Sequence, residues 1–567
     1  MKNQELAEIL FEIGDFLDLG EVPFKPEAYK KAAIAIDSLE EDIFIIYKQD
    51  GLKGLEKING VGKSIALKIE EFIKTGKIKY YKELKKESPI DLEELNKVEG
   101  LGVRKIKKLW QELKIRNLKD LEKAIEDHKI APLFGFGEKT EQNILESIKF
   151  LRQGQGRFSL REILEEIKKV EDKITKIKEV VNFSTAGSTR RRKETVGDVD
   201  FLVAIKDTSD KYVVEKIMNT FAQMESVVKI IAKGETKTSI KTRNNLNMDL
   251  RLVGEGSFGS ALQYFTGSKD HNITLRRIAM KKGYKLNEYG LFKGESKIEG
   301  EKEERIYEKL GLKWVPPELR ENQGEIEAAI KNELPDLINL EDIKGDLHCH
   351  TNWDGGEHSI EEMASEAISL GYKYIGITDH TKSLKIENGL DEKRIIEQRK
   401  EIDKLNKGFK NFKILQGSEV DILADGSLDI NDKTLKTLDY VAISIHSGFK
   451  MTKREMTKRV LKAMDNPYVR IFNHPTGMIV NKREGYNIDI EAVINKAAKN
   501  KIALEINSHR GDLSSQFAKL AKEKGVKLVI NSDAHNKKDL KIIEFGVYLA
   551  RRAWLTKEDI LNTYEEI

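Results

Sequence analysis

The spacing of apolar residues changes along the chain. In residues 1 to about 155, apolar residues recur at three- and four-residue steps, which is the period of an amphipathic helix. From about Asn182 to Val253, short apolar runs separated by helical stretches predict strands instead. These predicted strands are Val199 to Ile205, Val227 to Ala232 and Asn247 to Leu252. We therefore expect a helical region followed by a mixed α/β domain.

Another pattern begins at Ile343, where short apolar strands alternate with helices. The predicted strands are Tyr374 to Thr378, Tyr440 to Ile445, Val469 to Asn473, Ala503 to Asn507 and Leu528 to Ser532. This alternation favours a βα barrel, and histidines or acids follow nearly all of the strands. Since such barrels place their active sites at the carboxyl ends of the strands, we expect the chemistry there.

Three segments of the helical region share the pattern apolar-x-Gly-apolar-Gly, followed by an amphipathic helix. They are Ile58-Asn59-Gly60-Val61-Gly62, Val98-Glu99-Gly100-Leu101-Gly102 and Leu133-Phe134-Gly135-Phe136-Gly137. A glycine pair that opens a helix can direct backbone N–H groups at a phosphate. A single Gly-x-Gly is usually only a tight turn. Three copies, two of them flanked by lysines, resemble helix-hairpin-helix motifs, which bind DNA backbones without sequence preference.

Composition restricts the class of protein without naming a partner. The chain has 567 residues, enough for several domains, and a net charge of only +4, so any basic surface must be local. The single cysteine, Cys349, excludes an internal disulfide and fits a reducing cytosol. The amino terminus lacks a signal-peptide pattern, and no apolar run is long enough to span a membrane. We expect a cytoplasmic protein.

A group of carboxylates carries the first candidate chemistry. Asp198 and Asp200 are two apart on a predicted strand and therefore face the same side, and Asp249 lies on a second strand that could pair beside it. Three converging carboxylates can hold two Mg²⁺ or Mn²⁺ ions for phosphoryl transfer. The preceding Gly187-Ser188 turn can bind triphosphate oxygens. An isolated Asp-x-Asp is usually a solvated strand end, but the whole combination favours a catalytic site.

These motifs resemble the palm of family X DNA polymerases, such as polymerase β, over roughly residues 20 to 315. Further matching segments are Tyr264-Phe265-Thr266-Gly267-Ser268 and Leu286-Asn287-Glu288-Tyr289. The resemblance implies that the three aspartates bind metal and that Gly187, Ser188, Arg191 and Arg157 hold the incoming triphosphate. It also implies that Tyr264, Phe265 and Gly267 crowd the sugar, with Asn272 and Arg276 at the minor groove. Lys269 stands where the vertebrate enzyme has an acid.

The resemblance also extends to the amino-terminal domain. Lys68 falls at the position of the lyase nucleophile of polymerase β, and Lys25, Tyr29 and Lys31 match its 5′-phosphate contacts. A Schiff base needs an unprotonated amine, so a lyase lysine must be deprotonated by burial or by neighbouring cations. The alternative is that Lys68 simply contacts phosphate. The sequence leaves both open.

The chemistry of the second half depends on histidine. Eight of the ten histidines lie between His348 and His535, seven of them near strand ends beside acids. The motifs are Asp346-Leu347-His348-Cys349-His350, Thr378-Asp379-His380, Gly417-Ser418-Glu419, Ile445-His446, Asn473-His474 and Ser532-Asp533-Ala534-His535. Imidazole together with carboxylate suits Zn²⁺, Mn²⁺ or iron. A lone strand histidine is usually structural, but this clustering favours a metal centre.

These motifs resemble the PHP (polymerase and histidinol phosphatase) domain across residues 343 to 567. The resemblance implies a distorted seven-stranded barrel with three metals. One would be held by His348, His350, Glu419 and Asp533, a second by Glu419, His446 and His474, and a third by His380, His535 and an acid near Asp354. The family motif is shifted by one residue at Asp354, so Glu357 or His358 could replace it.

Together the resemblances predict a multidomain α/β chain with six segments. These are an amino-terminal helix-hairpin-helix domain at 1–85, a fingers-like helical domain at 86–155, a nucleotidyltransferase-type palm at 156–255, a thumb at 256–317, a linker at 318–342 and the PHP domain at 343–567. We expect a monomer that fills short gaps in DNA with dNTPs and processes 3′ ends. The alternatives are a PHP nuclease or phosphatase whose polymerase half only binds DNA, and a non-catalytic scaffold for DNA ends.

Overall fold

A computed structural model describes residues 2–20, 25–37, 43–96, 98, 101–152, 156–234 and 236–565. The chain divides into two compact units, Met1–Gly156 and Arg157–Ile567. No helix among the described residues combines the length and the apolar character that crossing a membrane would require.

The first unit is helical, as its apolar period predicts. Its helices are Lys2–Leu19, Lys25–Asp37, Ile43–Glu56, Lys63–Thr75, Lys79–Glu87, Leu92–Leu95, Val103–Leu113, Leu118–Glu126 and Glu138–Arg152. Two clusters of buried apolar side chains stabilise it, one around Leu10 and Ile69 and one around Leu109 and Ile144. The helices that follow the predicted hairpins bury one face in these clusters, whereas the described glycines Gly60, Gly62, Gly102 and Gly135 are exposed.

The second unit begins with a five-stranded sheet. In spatial order the strands are Val180–Thr185, Asp198–Ile205, Asn247–Gly254, Lys237–Thr242 and Val227–Lys233. The second and third strands pair in parallel, and the other neighbours pair antiparallel. The helices are Leu160–Ile174, Gly187–Arg190 and Lys211–Ala222, and the short strands Phe158–Ser159 and Thr195–Val196 pair with each other. The two long helices contribute to the same buried apolar cluster as the sheet.

A second layer of helices follows the sheet. Its helices are Phe258–Thr266, Lys269–Lys281, Glu303–Lys309 and Glu325–Lys331, with 3₁₀ turns at Glu255–Ser257, Pro317–Leu319 and Leu340–Asp342. Three antiparallel strands, Lys285–Asn287, Gly290–Lys293 and Ser296–Glu299, complete it. Residues 318–342, expected to be a linker, are packed: Arg320 and Glu325 are fully buried.

Eight parallel strand segments form the last part of the chain. Gly345–Cys349, Tyr374–Ile377 and Lys413–Gln416 make one sheet, and Glu419–Asp421, Val441–Ser444, Val469–Phe472, Ala503–Asn507 and Leu528–Asn531 make another. Single bridges between His380 and Glu419 and between Cys349 and Ala534 join the two sheets. This arrangement is consistent with the predicted distorted barrel, and the multidomain α/β class is confirmed.

The helices and 3₁₀ turns of this part lie between the strands and after the last of them. They are Ile360–Ser369, Lys385–Glu387, Glu392–Asn406, Asp432–Leu435, Lys453–Ala463, Ile490–Asn500, Ser515–Glu523, Lys537–Ile542, Ile543–Arg552, Lys557–Asp559 and Leu561–Thr563. Several begin at a serine, threonine, asparagine or aspartate whose side chain accepts a hydrogen bond from the first turn.

Candidate active sites

The predicted DNA-binding glycines lie at helix starts. Gly62 and Gly102 directly precede helices beginning at Lys63 and Val103, and Gly137 precedes the helix beginning at Glu138. Gly60 and Gly135 have φ angles of 83° and 84°, a region that favours glycine. Gly100 lies outside the described residues. In the first and third turns Gly60, Gly62 and Gly135 are exposed, so a phosphate can approach them.

Lys68 lies on the helix that follows the first hairpin. Its Nζ is 4.9 Å from the centre of the Tyr80 ring and 6.0 Å from that of Tyr29. Lys25 and Lys31 are exposed, whereas Tyr29 is buried. The first hairpin packs on the same helix as these residues, because a Cβ at Gly60 would lie 3.2 Å from the Ala32 nitrogen. The structure thus brings Lys68 and Tyr29 together on an aromatic, basic surface.

The three aspartates lie on adjacent parallel strands. Asp200 pairs directly with Asp249, and Asp198 projects to the same side as Asp200 two residues earlier. Burial, followed by the charges of Asp198 and Asp249, raises the pKa of Asp200 to about 6. Lys237 Nζ lies 2.5 Å from Asp249 Oδ2. Crowded carboxylates with a raised pKa are typical of a site that binds cations, so the donor set fits the expected metal ions.

The Gly187-Ser188 turn lies against these carboxylates. Gly187 has a φ angle of 57°, and a Cβ there would come within 2.6 Å of Asp200 Oδ2. The turn is held in place because the Ala186 N–H donates to the Asp200 carbonyl at 2.8 Å. Ser188, which is partly exposed, is the next residue. A glycine is therefore required where the chain approaches the Asp200 carboxylate.

The two arginines predicted to hold triphosphate have protein partners. Arg191 donates from Nη1 to the Thr266 carbonyl at 2.5 Å and from Nε to Glu321 at 3.1 Å. Arg157 is exposed and donates from Nε to the Thr195 hydroxyl at 2.9 Å. Hydrogen bonds thus fix both guanidinium groups, that of Arg191 at the Thr266 carbonyl and that of Arg157 at Thr195.

The residues predicted to contact the sugar and the base lie on two consecutive helices. Tyr264 and Phe265 stack edge to face with ring centres 5.1 Å apart, and a Cβ at Gly267 would lie 3.2 Å from Arg191 Nη1. Asn272 is buried and donates to the Tyr264 carbonyl at 2.7 Å. Asn272 therefore supports the backbone of this segment. Arg276 is partly exposed one turn further along the same helix.

In the barrel, Glu419 is the centre of the histidine cluster. Its two carboxylate oxygens lie within 3.6 Å of nitrogens from five histidines. These histidines are His348, His350, His380, His446 and His474. Asp533 Oδ1 lies 3.5 Å from His348 and 3.4 Å from His350. The predicted shared ligand thus touches ligands assigned to all three metal sites.

Although these atoms lie close together, several make no hydrogen bond of good geometry within the part of the chain that the structure describes. They are His350 Nε2, His380 Nδ1, both ring nitrogens of His446, His474 Nδ1, Glu419 Oε2 and Asp533 Oδ1. Groups of three side chains whose ligand atoms lie within 4.8 Å of one another include His348, His350 and Asp533, then His380, Glu419 and His446, and also His350, His380 and His535. Buried nitrogen and oxygen atoms without partners are costly unless they bind something, so this set fits metal ions.

The histidines differ in charge. Burial alone would lower the pKa of His348, but Glu505, Glu419 and Asp533 raise it well above its usual value. In the same way Asp354 raises the pKa of His350 to about 10 against the effect of burial. By contrast, burial lowers the pKa of His380 to about 4. Without metal, part of the cluster is therefore protonated at neutral pH and part is not.

The structure places Asp354 behind His350. Its Oδ2 lies 2.8 Å from His350 Nδ1 and accepts a hydrogen bond from the His380 N–H. Asp354 also groups with His350 and Asp379. Among the described residues, Glu357 and His358 belong to none of the four groups with metal-binding spacing. Of the three candidate ligands, Asp354 is the one that reaches the cluster.

Four polar residues around the cluster were not assigned from the sequence. Glu505 Oε1 lies 2.7 Å from His348 Nδ1, and Asp421 Oδ1 lies 3.5 Å from His446 Nδ1. Arg510 Nε donates to Asp533 Oδ2 at 3.0 Å, and Asp379 is fully buried beside the Thr351 hydroxyl. Carboxylates that hold the outer nitrogen of a ligating histidine fix its orientation. Glu505 lies within the strand Ala503–Asn507 and Asp421 ends the strand Glu419–Asp421, and an acid on a barrel strand is a signal that could have identified them.

Sequence models of five domain families match successive parts of the chain. They are a helix-hairpin-helix domain at 1–78, a SAM-like helix-hairpin-helix tandem at 92–149, the DNA polymerase beta palm at 157–258, the DNA polymerase beta thumb at 261–321 and the PHP domain at 346–509. Both predicted resemblances are therefore confirmed.

Individual proteins agree with this division. The chain is 39% identical over 572 residues to the DNA polymerase/3′-5′ exonuclease PolX of Bacillus subtilis (strain 168), covering 99% of this chain and 97% of that protein. A probable phosphatase of Thermoanaerobacter sp. (strain X514) is 34% identical over 38% of this chain and 89% of its own length. A probable phosphatase of Clostridium acetobutylicum is 30% identical over 39% of this chain and 91% of its own length. Since the match to the Bacillus protein is nearly full-length and the palm, thumb and PHP domains are all present, this chain belongs to the family X DNA polymerases that carry a carboxy-terminal PHP domain.

Proposed function

We propose that this protein is a template-directed DNA polymerase that fills short gaps in base excision repair and also removes nucleotides from 3′ ends. The observation that carries the proposal is the presence of two separate cation-binding groups in one chain. One is the aspartate cluster beside the Gly187-Ser188 turn, and the other is the histidine cluster around Glu419. The full-length similarity to a protein named as both polymerase and exonuclease supports it.

For polymerisation, the residues of the palm have distinct roles. Two Mg²⁺ or Mn²⁺ ions held by Asp198, Asp200 and Asp249 would activate the primer 3′-hydroxyl and stabilise the leaving pyrophosphate. Gly187 and Ser188 give the triphosphate a close approach to these carboxylates. Tyr264, Phe265 and Gly267 would limit space at the sugar, with Asn272 holding their backbone and Arg276 at the template side.

Arg191 and Arg157 supply positive charge to the triphosphate. A guanidinium group can bind phosphate oxygens through two parallel hydrogen bonds. The present partners of the two arginines, two backbone carbonyls, a hydroxyl and Glu321, are groups that phosphate oxygens could displace.

For hydrolysis, the barrel supplies the ligands. Up to three Zn²⁺ or Mn²⁺ ions held by His348, His350, Asp354, His380, Glu419, His446, His474, Asp533 and His535 would lower the pKa of a bound water and neutralise the phosphate. Glu505 orients His348, and Arg510, held on Asp533, adds a cation for the scissile phosphate. Removal of a 3′ nucleotide is the reaction we expect.

The remaining assignments concern binding and context. The hairpin glycines, with Lys25, Tyr29 and Lys31, would contact the backbone of gapped or primer-template DNA. Lys68 is either a lyase nucleophile for abasic sites or one more phosphate contact. We further propose a cytoplasmic monomer with the division given above, except that residues 318–342 pack with the thumb and do not form a linker.

The test uses a duplex with a one-nucleotide gap, a downstream 5′-phosphate and a labelled primer. With Mn²⁺ and the templated dNTP we expect extension by one nucleotide, lost in Asp198→Ala. Without dNTP we expect shortening of the primer from its 3′ end, lost in His348→Ala but retained in Asp198→Ala. A primer that neither grows nor shrinks, on protein that still binds the gap, would favour a scaffold.

A phosphatase is the second candidate for the barrel alone. The similarity to two proteins named probable phosphatases favours it. A duplex primer ending in a 3′-phosphate separates the two reactions. Release of inorganic phosphate without loss of a nucleotide indicates the phosphatase, and release of nucleotides indicates the exonuclease.

A further inference from the structure

The barrel domain contacts the backbone of both arginines proposed to hold the triphosphate. Asn481 Nδ2 donates to the Arg157 carbonyl at 2.9 Å, and Arg552 Nη1 donates to the Arg191 carbonyl at 3.0 Å. These partners are 324 and 361 residues apart in sequence. Two hydrogen bonds from the barrel domain thus hold the backbone of Arg157 and Arg191 in the palm.

Arg552 also shares a carboxylate with Arg191. Glu321 Oε1 lies 3.1 Å from Arg191 Nε and 3.3 Å from Arg552 Nη1. Burial alone would raise the pKa of Glu321, but Arg191, Lys193 and Arg552 lower it, so this carboxylate is charged. A carboxylate that pairs with two arginines attracts each of them less strongly than it would attract one alone. Arg552 therefore weakens the ion pair between Glu321 and Arg191.

Further contacts hold the same palm segments on the barrel. The Arg192 guanidinium lies 4.0 Å above the Tyr548 ring, and the Ser515 hydroxyl donates to Glu194 at 2.7 Å. Lys482 pairs with Glu162 at 3.0 Å. The palm residues in these contacts are close in sequence to Arg157 and Arg191. The contacts therefore restrain the backbone that carries both arginines.

We infer that the PHP domain positions the triphosphate-binding arginines of the polymerase, with Asn481 and Arg552 as the positioning residues. The inference rests on the proposed roles of Arg157 and Arg191. A guanidinium group whose backbone is already restrained loses less conformational freedom when it binds phosphate. This restraint before binding favours nucleotide binding. The carboxy-terminal domain thereby contributes to nucleotide incorporation without touching the nucleotide.

The experiment measures single-nucleotide gap filling at varied dNTP concentration for the full chain. Arg552→Ala is expected to raise the KM for dNTP by roughly three- to tenfold with kcat changed less than twofold, since it removes a charge-assisted hydrogen bond. Asn481→Ala is expected to act in the same direction and more weakly. Removal of 3′ nucleotides by the Arg552→Ala protein should be unchanged.

Arg551→Ala is the matched control. Arg551 is the adjacent residue on the same barrel helix. It binds Glu318 and the Ile338 carbonyl, whereas Arg552 binds the Arg191 carbonyl of the palm. We expect it to lower the unfolding temperature without raising the KM for dNTP. An equal rise in KM for Arg551→Ala and Arg552→Ala would overturn the inference, because it would indicate general loosening.

A rescue makes the test specific. Adding Glu321→Gln to Arg552→Ala removes the charge that retains Arg191 and should bring the KM for dNTP back toward its original value. If Arg552→Ala does not fold, Arg552→Lys replaces it and is expected to give an intermediate KM.

Arg191→Ala separates the two possible failures. If Arg191→Ala raises the KM for dNTP and Arg552→Ala does not, the positioning role is wrong while the proposed function stands. If Arg191→Ala itself has no effect, the proposed nucleotide role fails and the inference falls with it.

Discussion

At the scale of single residues, Asp200 shows how the polymerase site opposes stability. Its carboxylate is held beside Asp198 and Asp249 in a largely buried position, and its pKa is raised to about 6 by burial and by those two charges. Above that pH the folded protein holds an unfavourable charge that the unfolded chain solvates freely. Functional sites commonly carry such a cost.

We therefore predict that Asp200→Asn stabilises the metal-free protein. A folded-state pKa above the unfolded value means that the native state binds more protons, so the stability of the original protein falls as pH rises from about 4 to 6. The variant has no charge at this position, so its free energy of unfolding should exceed that of the original protein by up to about 3 kcal/mol at pH 8 and by nothing near pH 4. Denaturant unfolding in EDTA at several pH values measures it. A gain that is independent of pH would contradict the electrostatic cause.

Gly187 is the second residue whose identity we expect to be strict. An alanine there would place Cβ within 2.6 Å of Asp200 Oδ2 and would hold a φ angle of 57°. We predict that Gly187→Ala costs about 1–3 kcal/mol from the backbone conformation and abolishes nucleotide incorporation, because the turn must move away from the carboxylates.

The control is Gly256→Ala, a position outside the proposed sites whose Cβ would meet no atom within 4 Å. It should leave nucleotide incorporation on primed DNA largely intact. Retained incorporation in Gly187→Ala would show that the turn does not need its close approach to Asp200.

Residue chemistry was predictable where a motif was short and local. Asp198 and Asp200, or His348 and His350, lie two apart on strands, and that spacing alone places both side chains on one side. Glu505 and Arg510 were missed because their roles depend on the approach of distant strands to His348 and Asp533. Asn272 was expected at the DNA, yet its buried position and its bond to Tyr264 follow from the packing of two helices.

At the scale of elements, a buried ion network joins the palm to the helices after it. Glu303 accepts hydrogen bonds from Arg190 at 2.8 Å, from Arg320 at 2.6 Å and from the Trp314 ring nitrogen at 2.9 Å. Burial alone would raise the pKa of Glu303, but Arg320 and Arg190 hold it far below its usual range. The network fixes the turn that carries Arg190 against the thumb.

We predict that Glu303→Gln destabilises the protein by about 3–5 kcal/mol, because it leaves two buried guanidinium groups without a counter-charge. Since the folded pKa is far below the ordinary value of 4.5, this stabilisation is present above pH 4.5 and is lost progressively as pH falls through the folded pKa. Thermal unfolding at pH 7 and at about pH 2 measures both effects. Glu304→Gln, an exposed neighbour, should change stability by less than about 0.5 kcal/mol.

Elements were predictable where apolar periodicity was strong. The five predicted barrel strands match the observed strands to within one residue at each end, and the first unit is helical as predicted. The strand Lys237–Thr242 was not predicted, because its sequence is mostly polar and pairing with neighbours on both sides stabilises it. The helix Glu325–Lys331 was assigned to a linker for a similar reason: its charges looked exposed, yet Glu325 is buried against His271.

The histidine cluster gives a prediction about protons. His350 and His446 have their pKa values raised to about 10 and 9 against the effect of burial, by Asp354 and Glu419 respectively, and that of His348 is also raised. A metal ion binds neutral imidazole, so uptake at pH 7.5 should release up to about three protons per chain. Release should fall as pH approaches 10.

Calorimetry of Mn²⁺ binding to metal-stripped protein, in two buffers of different ionisation enthalpy, counts these protons. His350→Gln should reduce the count by about one. His380→Gln should weaken Mn²⁺ binding but leave the number of released protons unchanged, because burial already lowers the pKa of His380 to about 4. Binding without proton release would contradict the assigned charges.

At the scale of the whole molecule, the palm and the barrel share one interior. Buried apolar residues of the sheet, such as Phe201 and Leu250, belong to the same contiguous cluster as Cys349 and Ile443 of the barrel. Polar contacts between Arg552 and the palm reinforce this continuity. The two candidate active sites therefore lie in one packed unit, Arg157–Ile567.

We predict that removing metal from the barrel also destabilises the palm. A ligand at a hundred times its dissociation constant stabilises the state that binds it by about 2.7 kcal/mol, and a shared interior transmits that gain to both domains. Metal-stripped protein should lose polymerase activity on heating sooner than metal-loaded protein when both are assayed afterwards with the same excess of Mn²⁺. In His348→Ala, which weakens the barrel site, metal-stripped and metal-loaded protein should be inactivated by heat at the same rate. In Asp198→Ala, metal-loaded protein should still resist heat better than metal-stripped protein, and hydrogen exchange in the palm measures this because the variant lacks polymerase activity. If heat inactivation of the polymerase does not depend on barrel metal, the two domains unfold independently, and the shared interior does not couple them.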